Sequence, residues 1–450
     1  RLQNRIVSRG YITTRVVATA QDLTRGVLTL TVIPGRIRDI RPADGTQLHA
    51  RLGAALPAAS GDLLNLRDIE QGLENLKRVP TADADIQIAP AADPLAGPGE
   101  SDLVVAWRQE RLLRLNLSLD DSGTRATGRF LGGATVSLDN ALGLSDLFYA
   151  SFNHDLGGGV SGSRGTHGYT VHYALPWGYW LASLTAGGNT YHQAVAGANQ
   201  TYRYSGESEH AALRLTRLLH RNATGKTSAW VQAWMRQSSN FIDDTEVVVQ
   251  RRRMGGWEAG FNHRAFIAAA TLDVDLAYRR GTGAFAALRA PEENFGEGTS
   301  RPGIYTASAQ LNLPFRAGDQ ALRYTSLARL QRSESPLVPQ DRFAIGGRYT
   351  VRGFDGESVL SGERGWLWRN DLGLALRETG AEAYVGVDVG LVSGRSTRGL
   401  LGRRLAGGVL GVRGSVGGLA YDVFVGTHLA RPTGFASPDG LAGFSLNWAW

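Results

Sequence analysis

Residues 341–370 read DRFAIGGRYTVRGFDGESVLSGERGWLWRN, and the fold turns on how this stretch is read. It joins two alternating patterns, residues 321–332 and 364–377, and is far too long for a hairpin turn. A connection of this length inside a compact fold is usually functional or disordered. Disorder does not fit, because Phe343, Ile345, Tyr349, Val351 and Phe354 give the stretch apolar content. Gly346, Gly347 and Gly353 allow tight turns that residues with a Cβ resist. Arg352 stands alone in the apolar tip Val351-Arg352-Gly353-Phe354. A charge in that company needs a partner or water. Composition alone admits both a solvated surface arginine and a paired, functional one.

Around this stretch, residues 110–450 follow one rule: segments of about ten residues alternate apolar with polar or small side chains, separated by turn residues. Leu113, Leu115, Leu117 and Leu119 share one parity, against Leu112, Arg114, Asn116 and Ser118. In the same way Leu372, Leu374 and Leu376 oppose Arg369, Asp371 and Arg377. Tyr421, Val423 and Val425 oppose Asp422, Gly426 and His428. About sixteen such segments run from residues 110–120 to 440–450, with no helical period between them. A closed barrel in lipid turns its apolar side outward and its polar side to the lumen, and closure leaves no unpaired backbone in the bilayer. Short connections such as Pro176-Trp177-Gly178 and Gly417-Gly418 alternate with long polar ones such as 281–303 and 333–363. That is the asymmetry of periplasmic turns and outer loops. The predicted fold is therefore a transmembrane β-barrel of about sixteen antiparallel strands. Its last strand ends Phe444, Leu446, Trp448 and Trp450, a girdle pattern that also fits a C-terminal signal for barrel-assembly machinery.

Residues 1–109 differ. Residues 1–10 read as the end of a helix stopped at Gly10, so the natural N-terminus is expected upstream; two strand patterns follow, 13–20 and 27–33. Residues 48–56 and 66–79 are predicted helices, the second capped by Asn65 and aligning Leu66, Ile69, Leu73, Leu76 and Val79 on one face. Strands at 85–89 and 102–108 close this unit around a Pro/Gly loop at 90–100.

Composition limits the chemistry. With 450 residues and no cysteine, disulfides and thiolate catalysis are excluded together. The net charge of +7 rests on arginine, since lysine occurs only at Lys77 and Lys226. These arginines are spread along strands rather than clustered, which suits a polar lumen better than a nucleic-acid stripe. No run reaches the ~18 apolar residues of a membrane helix. Residues 222–227 (NATGKT) lack the first glycine of a P-loop and read as a turn. His154, His167 and His172 have no zinc spacing, and Asp243-Asp244 and Glu292-Glu293 read as solvated loop pairs. No GxSxG elbow is present. No enzyme, cofactor or metal is expected.

The pairing of soluble α/β modules with a barrel carrying a VRGF-type tip resembles the Omp85 superfamily. Gly10–Arg15 (GYITTR), Gln21-Asp22-Leu23 and Gly26 match a first POTRA module, and residues 65–76 (NLRDIEQGLENL) a second. Asp341-Arg342-Phe343, Gly346-Gly347, Val351–Phe354 and residues 384–390 (YVGVDVG) are similar to the barrel motifs of TpsB transporters of two-partner secretion, such as the filamentous-haemagglutinin and haemolysin transporters. The family's plug helix, linker and early first module have no counterpart in these residues. The resemblance implies a remnant POTRA module at 1–42, a second at 43–109 and a barrel at 110–450 whose loop 333–363 folds into the lumen. It also implies that Arg352 pairs with Asp388. Parity agrees: Val385, Val387 and Val389 face lipid, so Gly386, Asp388 and Gly390 face the lumen, the glycines leaving room for another backbone. Val351, Arg352, Gly353, Phe354 and Asp388 are the expected gating residues, supported by Phe343, Gly346, Gly347, Gly386 and Gly390. Leu66, Ile69, Leu73 and Leu76 are the expected exoprotein-binding face, and Trp450 the assembly signal.

The implied function is an outer-membrane pore, with POTRA modules in the periplasm. It would secrete a large β-helical TpsA-type exoprotein of adhesin or haemolysin type, caught through its N-terminal secretion domain, without nucleotide hydrolysis. Its partners would be that exoprotein, outer-membrane lipid and the barrel-assembly machinery, with no nucleic acid, and the transporter would be a monomer. The alternative is a barrel-assembly factor of the same superfamily, which predicts more than two POTRA modules.

Overall fold

The computed structural model describes residues 1–46, 50–376 and 379–450. Leu48, in the predicted helix 48–56, and Arg377 and Glu378, at the end of the predicted strand 364–378, lie outside the described residues.

Helix α1 (Leu2–Ser8) precedes an antiparallel pair, β1 (Arg15–Val17) with β2 (Thr31–Ile33). The next unit holds β3 (Arg36–Pro42), α2 (Leu52–Ala55), α3 (Leu66–Leu76), β4 (Ala82–Pro90) and β5 (Glu100–Gln109). Its sheet has the order β3-β5-β4, with β3 parallel and β4 antiparallel to β5. The expected boundary at residue 42 is corrected by this sheet: β3 pairs with β5, so residues 36–42 belong to the second module. Helix α3 begins as its sequence indicates, the Asn65 side chain accepting the Arg67 N–H (2.9 Å). It stops at Leu76 rather than Val79, because Pro80 disfavours helical backbone in the residue before it. Leu64, Ile69, Leu76, Leu103 and Val105 fill the space between helix and sheet.

The barrel follows. Its strands are β6 (Leu113–Asp120), β7 (Leu131–Asp139), β8 (Leu147–Asp155), β9 (Arg164–Trp177), β10 (Trp180–Ala196), β11 (Thr201–Asn222), β12 (Gly225–Ile242), the two-residue rim strand β13 (Thr245–Glu246), β14 (Arg252–Ile267), β15 (Ala270–Thr282), β16 (Gly303–Ala317) and β17 (Gln320–Ser333). Two short strands, β18 (Phe343–Ile345) and β19 (Leu360–Gly362), pair with each other inside the long loop. The wall resumes with β20 (Arg364–Leu376), β21 (Ala381–Ser393), β22 (Arg404–Val416), β23 (Leu419–Ala430) and β24 (Leu441–Ala449). Strand β12 pairs directly with β14, and β24 closes on β6, so the wall is a closed antiparallel barrel of 16 strands.

Alternation sorts the two faces. Val385, Val387, Leu410, Val423 and Val425 are exposed on the outside, whereas Leu367, Tyr384 and Asp388 are buried inside. The second module sits under the barrel mouth. The Asn75 amide donates to the Gly178 carbonyl (2.8 Å) in the β9–β10 turn, and the Gly178 N–H donates to the Ala54 carbonyl (2.9 Å). The turns on this side are therefore periplasmic, and the loop between β17 and β20 enters the lumen from the other end.

Candidate functional site

The loop from β17 to β20 builds the site. β18 and β19 form its stem, registered Phe343 to Gly362 and Ile345 to Leu360. At its tip the Thr350 hydroxyl accepts the N–H groups of Gly346 and Gly347 (3.1 Å each). Gly346 (φ 114°) and Gly353 (φ 88°) lie in the left-handed region, where a Cβ is strained. Gly347 does not, and a Cβ there would make only ordinary contact, so the expected conformational need for glycine holds at two of the three positions.

Val351 and Phe354 are the tip's apolar anchors. They are buried with Ile345, Leu360, Leu367, Val392 and Leu405, and Phe354 meets Phe435 edge-on at 5.8 Å between centroids. Phe343 is half-buried against the same cluster. The tip presses against the wall backbone. A Cβ on Gly353 would lie 2.2 Å from the Thr427 carbonyl, and one on Gly407 would lie 1.8 Å from the Arg352 carbonyl. A Cβ on Gly390 would meet Val351 at 2.9 Å, and one on Gly386 would meet Asp371 at 2.5 Å and the Arg352 guanidinium at 2.7 Å. Gly386 and Gly390 thus leave the room expected of them.

Arg352 is 6% exposed and Asp388 1%. The Arg352 Nε and Nη2 donate to the two Asp388 carboxylate oxygens (2.7 and 2.8 Å), and the Arg352 backbone N–H adds a third bond to Oδ2 (2.9 Å). This fork is the bidentate geometry in which charge-assisted bonds are strongest. Nη2 also donates to Asp371 Oδ1 (2.5 Å), a second carboxylate that the sequence reading left unassigned. Its lumen-facing parity was visible, but nothing local placed it opposite Gly386 and within reach of a loop. Arg413 continues the network, from Asp371 Oδ2 (3.4 Å) to Glu382 (2.6 Å), and Arg323 reaches the other Glu382 oxygen (2.7 Å). Arg369 approaches Asp388 at 3.8 Å. With every carboxylate engaged by guanidinium groups, the arrangement holds a loop and presents no free base.

Arg348 was also missed. It donates to Asp121 Oδ1 (2.7 Å) and the Phe444 carbonyl (3.0 Å) and lies 4.9 Å over the Phe424 ring, tying the loop to the seam between β24 and β6. Trp450 completes that seam by exchanging backbone hydrogen bonds with Leu115 (2.9 and 3.0 Å), its ring exposed beneath the Arg111 guanidinium.

Of the expected exoprotein face on α3, two residues are removed by burial and two stay partly accessible. Ile69 and Leu76 are module core, 5% and 0% exposed, and Leu66 and Leu73 are half-buried, Leu73 against that core. An amphipathic helix spends its apolar stripe on its own sheet. Among the described residues, no group of three His, Asp or Glu is placed to hold a metal ion.

Comparison with known proteins follows the same division. The model for the haemolysin secretion/activation proteins ShlB/FhaC/HecB matches residues 99–414. A ShlB-type POTRA model matches 1–35 and a second POTRA model 36–90, the boundary that the sheet sets. The outer membrane transporter CdiB-2 of Burkholderia pseudomallei is 40% identical over 99% of this chain and 76% of its own. The haemolysin transporter ShlB of Serratia marcescens is 26% identical over 86% of this chain and 67% of its own. The structure of CdiB from Acinetobacter baumannii superposes with a TM-score of 0.89 at 33% identity, covering all of this chain and 80% of that one. With its loop-filled barrel and two POTRA modules, the chain belongs to the ShlB/FhaC/HecB family of two-partner secretion transporters of the outer membrane.

Proposed function

We propose that this transporter exports one large, β-helical exoprotein as an unfolded chain, and that release of the Arg352 clamp opens the path. The observation that carries this reading is the loop held in the lumen by Arg352, Asp388 and Asp371. An exported chain and this loop compete for the same space, so transit requires the tip to move. A buried ion pair suits a two-state latch: losing one partner typically costs about 3–5 kcal/mol, because the other charge is stranded. Release therefore needs a strong competing interaction, which an incoming chain supplies through many contacts at once.

Catching the exoprotein falls to the POTRA modules. With Ile69 and Leu76 of α3 buried, an edge of the second sheet is the better receptor. Of its two edge strands, β3 is hydrogen-bonded at its start by residues 61–64, so β4, which among the described residues pairs with β5 alone, offers the longer free edge. An extended segment of the exoprotein's secretion domain adds to that edge by backbone hydrogen bonds. Net direction comes from folding of the cargo outside, with no catalytic residue assigned to the pore.

The test compares culture supernatants and outer membranes with and without the transporter, then with Arg352→Ala. Loss of one very large secreted protein, with other barrels unchanged, is the expected result for the deletion. Arg352→Ala should insert normally and secrete poorly. Wild-type secretion by a correctly inserted Arg352→Ala variant would sink the gating reading.

A further inference from the structure

The outer face of the barrel carries a second concentration of charge, outside the lumen network. Gln331 points inward, donating to the Asp341 carbonyl of the loop (2.8 Å), and Leu367 is 1% exposed, so Arg332, Arg364, Trp366 and Trp368 on the opposite parity point outward. The β17–β20 register ends with Gln331 opposite Gly365, which sets Arg332 and Arg364 side by side at the extracellular rim. Arg280 on β15, opposite Gly303, and Arg404 on β22, opposite Leu391, extend the row two strands along the wall on either side. Like charges directly opposite on adjacent strands repel. Among the described residues none of these four has an ion-pair partner within 4.0 Å. Glu334, at the same rim, takes the Tyr278 hydroxyl instead (3.4 Å).

Below this row lies an aromatic girdle: Tyr278 and Tyr305 are 4.6 Å apart, and Trp366 and Trp368 are exposed. Deeper still, Ala307, Ala309 and Ala328 leave a shallow apolar groove walled by Val274, Leu330 and Trp368. Cations at the water boundary above a slot in the hydrocarbon match an anionic headgroup joined to an acyl chain.

We propose that this rim is a binding site for a phosphorylated, multiply acylated glycolipid of the outer leaflet, of the lipid A class. The Arg332 and Arg364 guanidinium groups take a headgroup phosphate, a fit that planar forks make bidentately. One acyl chain lies in the alanine groove. Free phosphate shares the headgroup chemistry but leaves the groove unused, and the groove is what selects a lipid. The site rests on the barrel's place in the outer membrane, not on the identity of the exported protein.

The experiment uses the full chain in detergent micelles, stripped of lipid, with bis-phosphorylated lipid A as probe and native mass spectrometry as readout. Saturable binding is expected, weakened about thirtyfold in Arg332→Gln/Arg364→Gln, on the general scale for two basic side chains at an anionic membrane surface. Fully dephosphorylated lipid A should bind the unaltered protein equally weakly, and inorganic phosphate should not displace the lipid. The proposal is overturned if the double variant binds as the parent does, if the dephosphorylated lipid binds as tightly, or if inorganic phosphate competes. The dephosphorylated arm needs no variant, so a misfolded double variant leaves the test intact.

Discussion

Two sets of ion pairs hold this molecule together across long sequence separations, and they work in opposite regimes. Inside the barrel, Arg352 and Asp388 are almost completely removed from water and share three hydrogen bonds. Under the mouth, Arg221 reaches Glu74 (2.7 Å) and Glu70 (3.3 Å), and Lys226 also pairs with Glu74, but Glu74 is 41% exposed. The buried set is unforgiving, because desolvation has been incurred and only the partner offsets it. The wet set is adjustable, because water and salt can replace either partner. The structure thus seats its lumen loop with one kind of pair and docks its periplasmic module with the other.

The largest expected effect comes from stranding a charge in the clamp. Asp388→Ala should destabilise the seated tip by about 3–5 kcal/mol, read as faster hydrogen exchange of residues 343–362 and larger pore conductance. Unchanged exchange there would place the tip's stability in the apolar cluster around Phe354 instead. A smaller loss is expected where backbone meets backbone. Gly407→Ala, whose Cβ would lie 1.8 Å from the Arg352 carbonyl, should displace the tip at a cost of about 1–3 kcal/mol with both charges kept. If the same exchange readout does not move, the close approach is not what seats the loop.

The docking contact should yield far less. Arg221→Gln with Lys226→Gln should shift the module's position by about 0.2–1 kcal/mol per pair. Spin labels at Asp85→Cys and Ala223→Cys would read that shift without interference, since the chain has no cysteine of its own. A module that detaches entirely would show that the two regimes are not distinct. Smallest is the pH response. Burial pushes the Glu74 carboxyl up, but the bonds and charges of Lys226 and Arg221 outweigh it and hold it below the ordinary value of 4.5. Its stabilising share is present above that value and fades as pH falls through the depressed one. Asp68, beneath Tyr179, works the other way: burial raises its carboxyl, so its contribution is present below 3.8 and is lost as pH rises through the raised value. A small widening of the label distance on acidification is expected, and a narrowing would mean that Asp68 dominates.

How much of this was legible follows from range. The period of two along each wall segment, the turn and loop asymmetry, the cap at Asn65 and the lumen parity of Asp388 are properties of neighbouring residues, and each is legible without the fold. The pairing of Arg352 with Asp388 came from resemblance and parity together. Asp371, Gly407 and Arg348 escaped, since their roles depend on where a loop tip stops inside a closed wall. Ile69 and Leu76 of α3 could not be placed for a related reason: an apolar stripe marks burial equally well against its own sheet or a partner, and only the β3-β5-β4 sheet shows that these two are core. By itself, then, the sequence determined that this chain is a barrel with modules before it, because strand alternation is written locally. Which charges meet across the lumen was decided by closure of the wall, which brings strands distant in the chain around one loop.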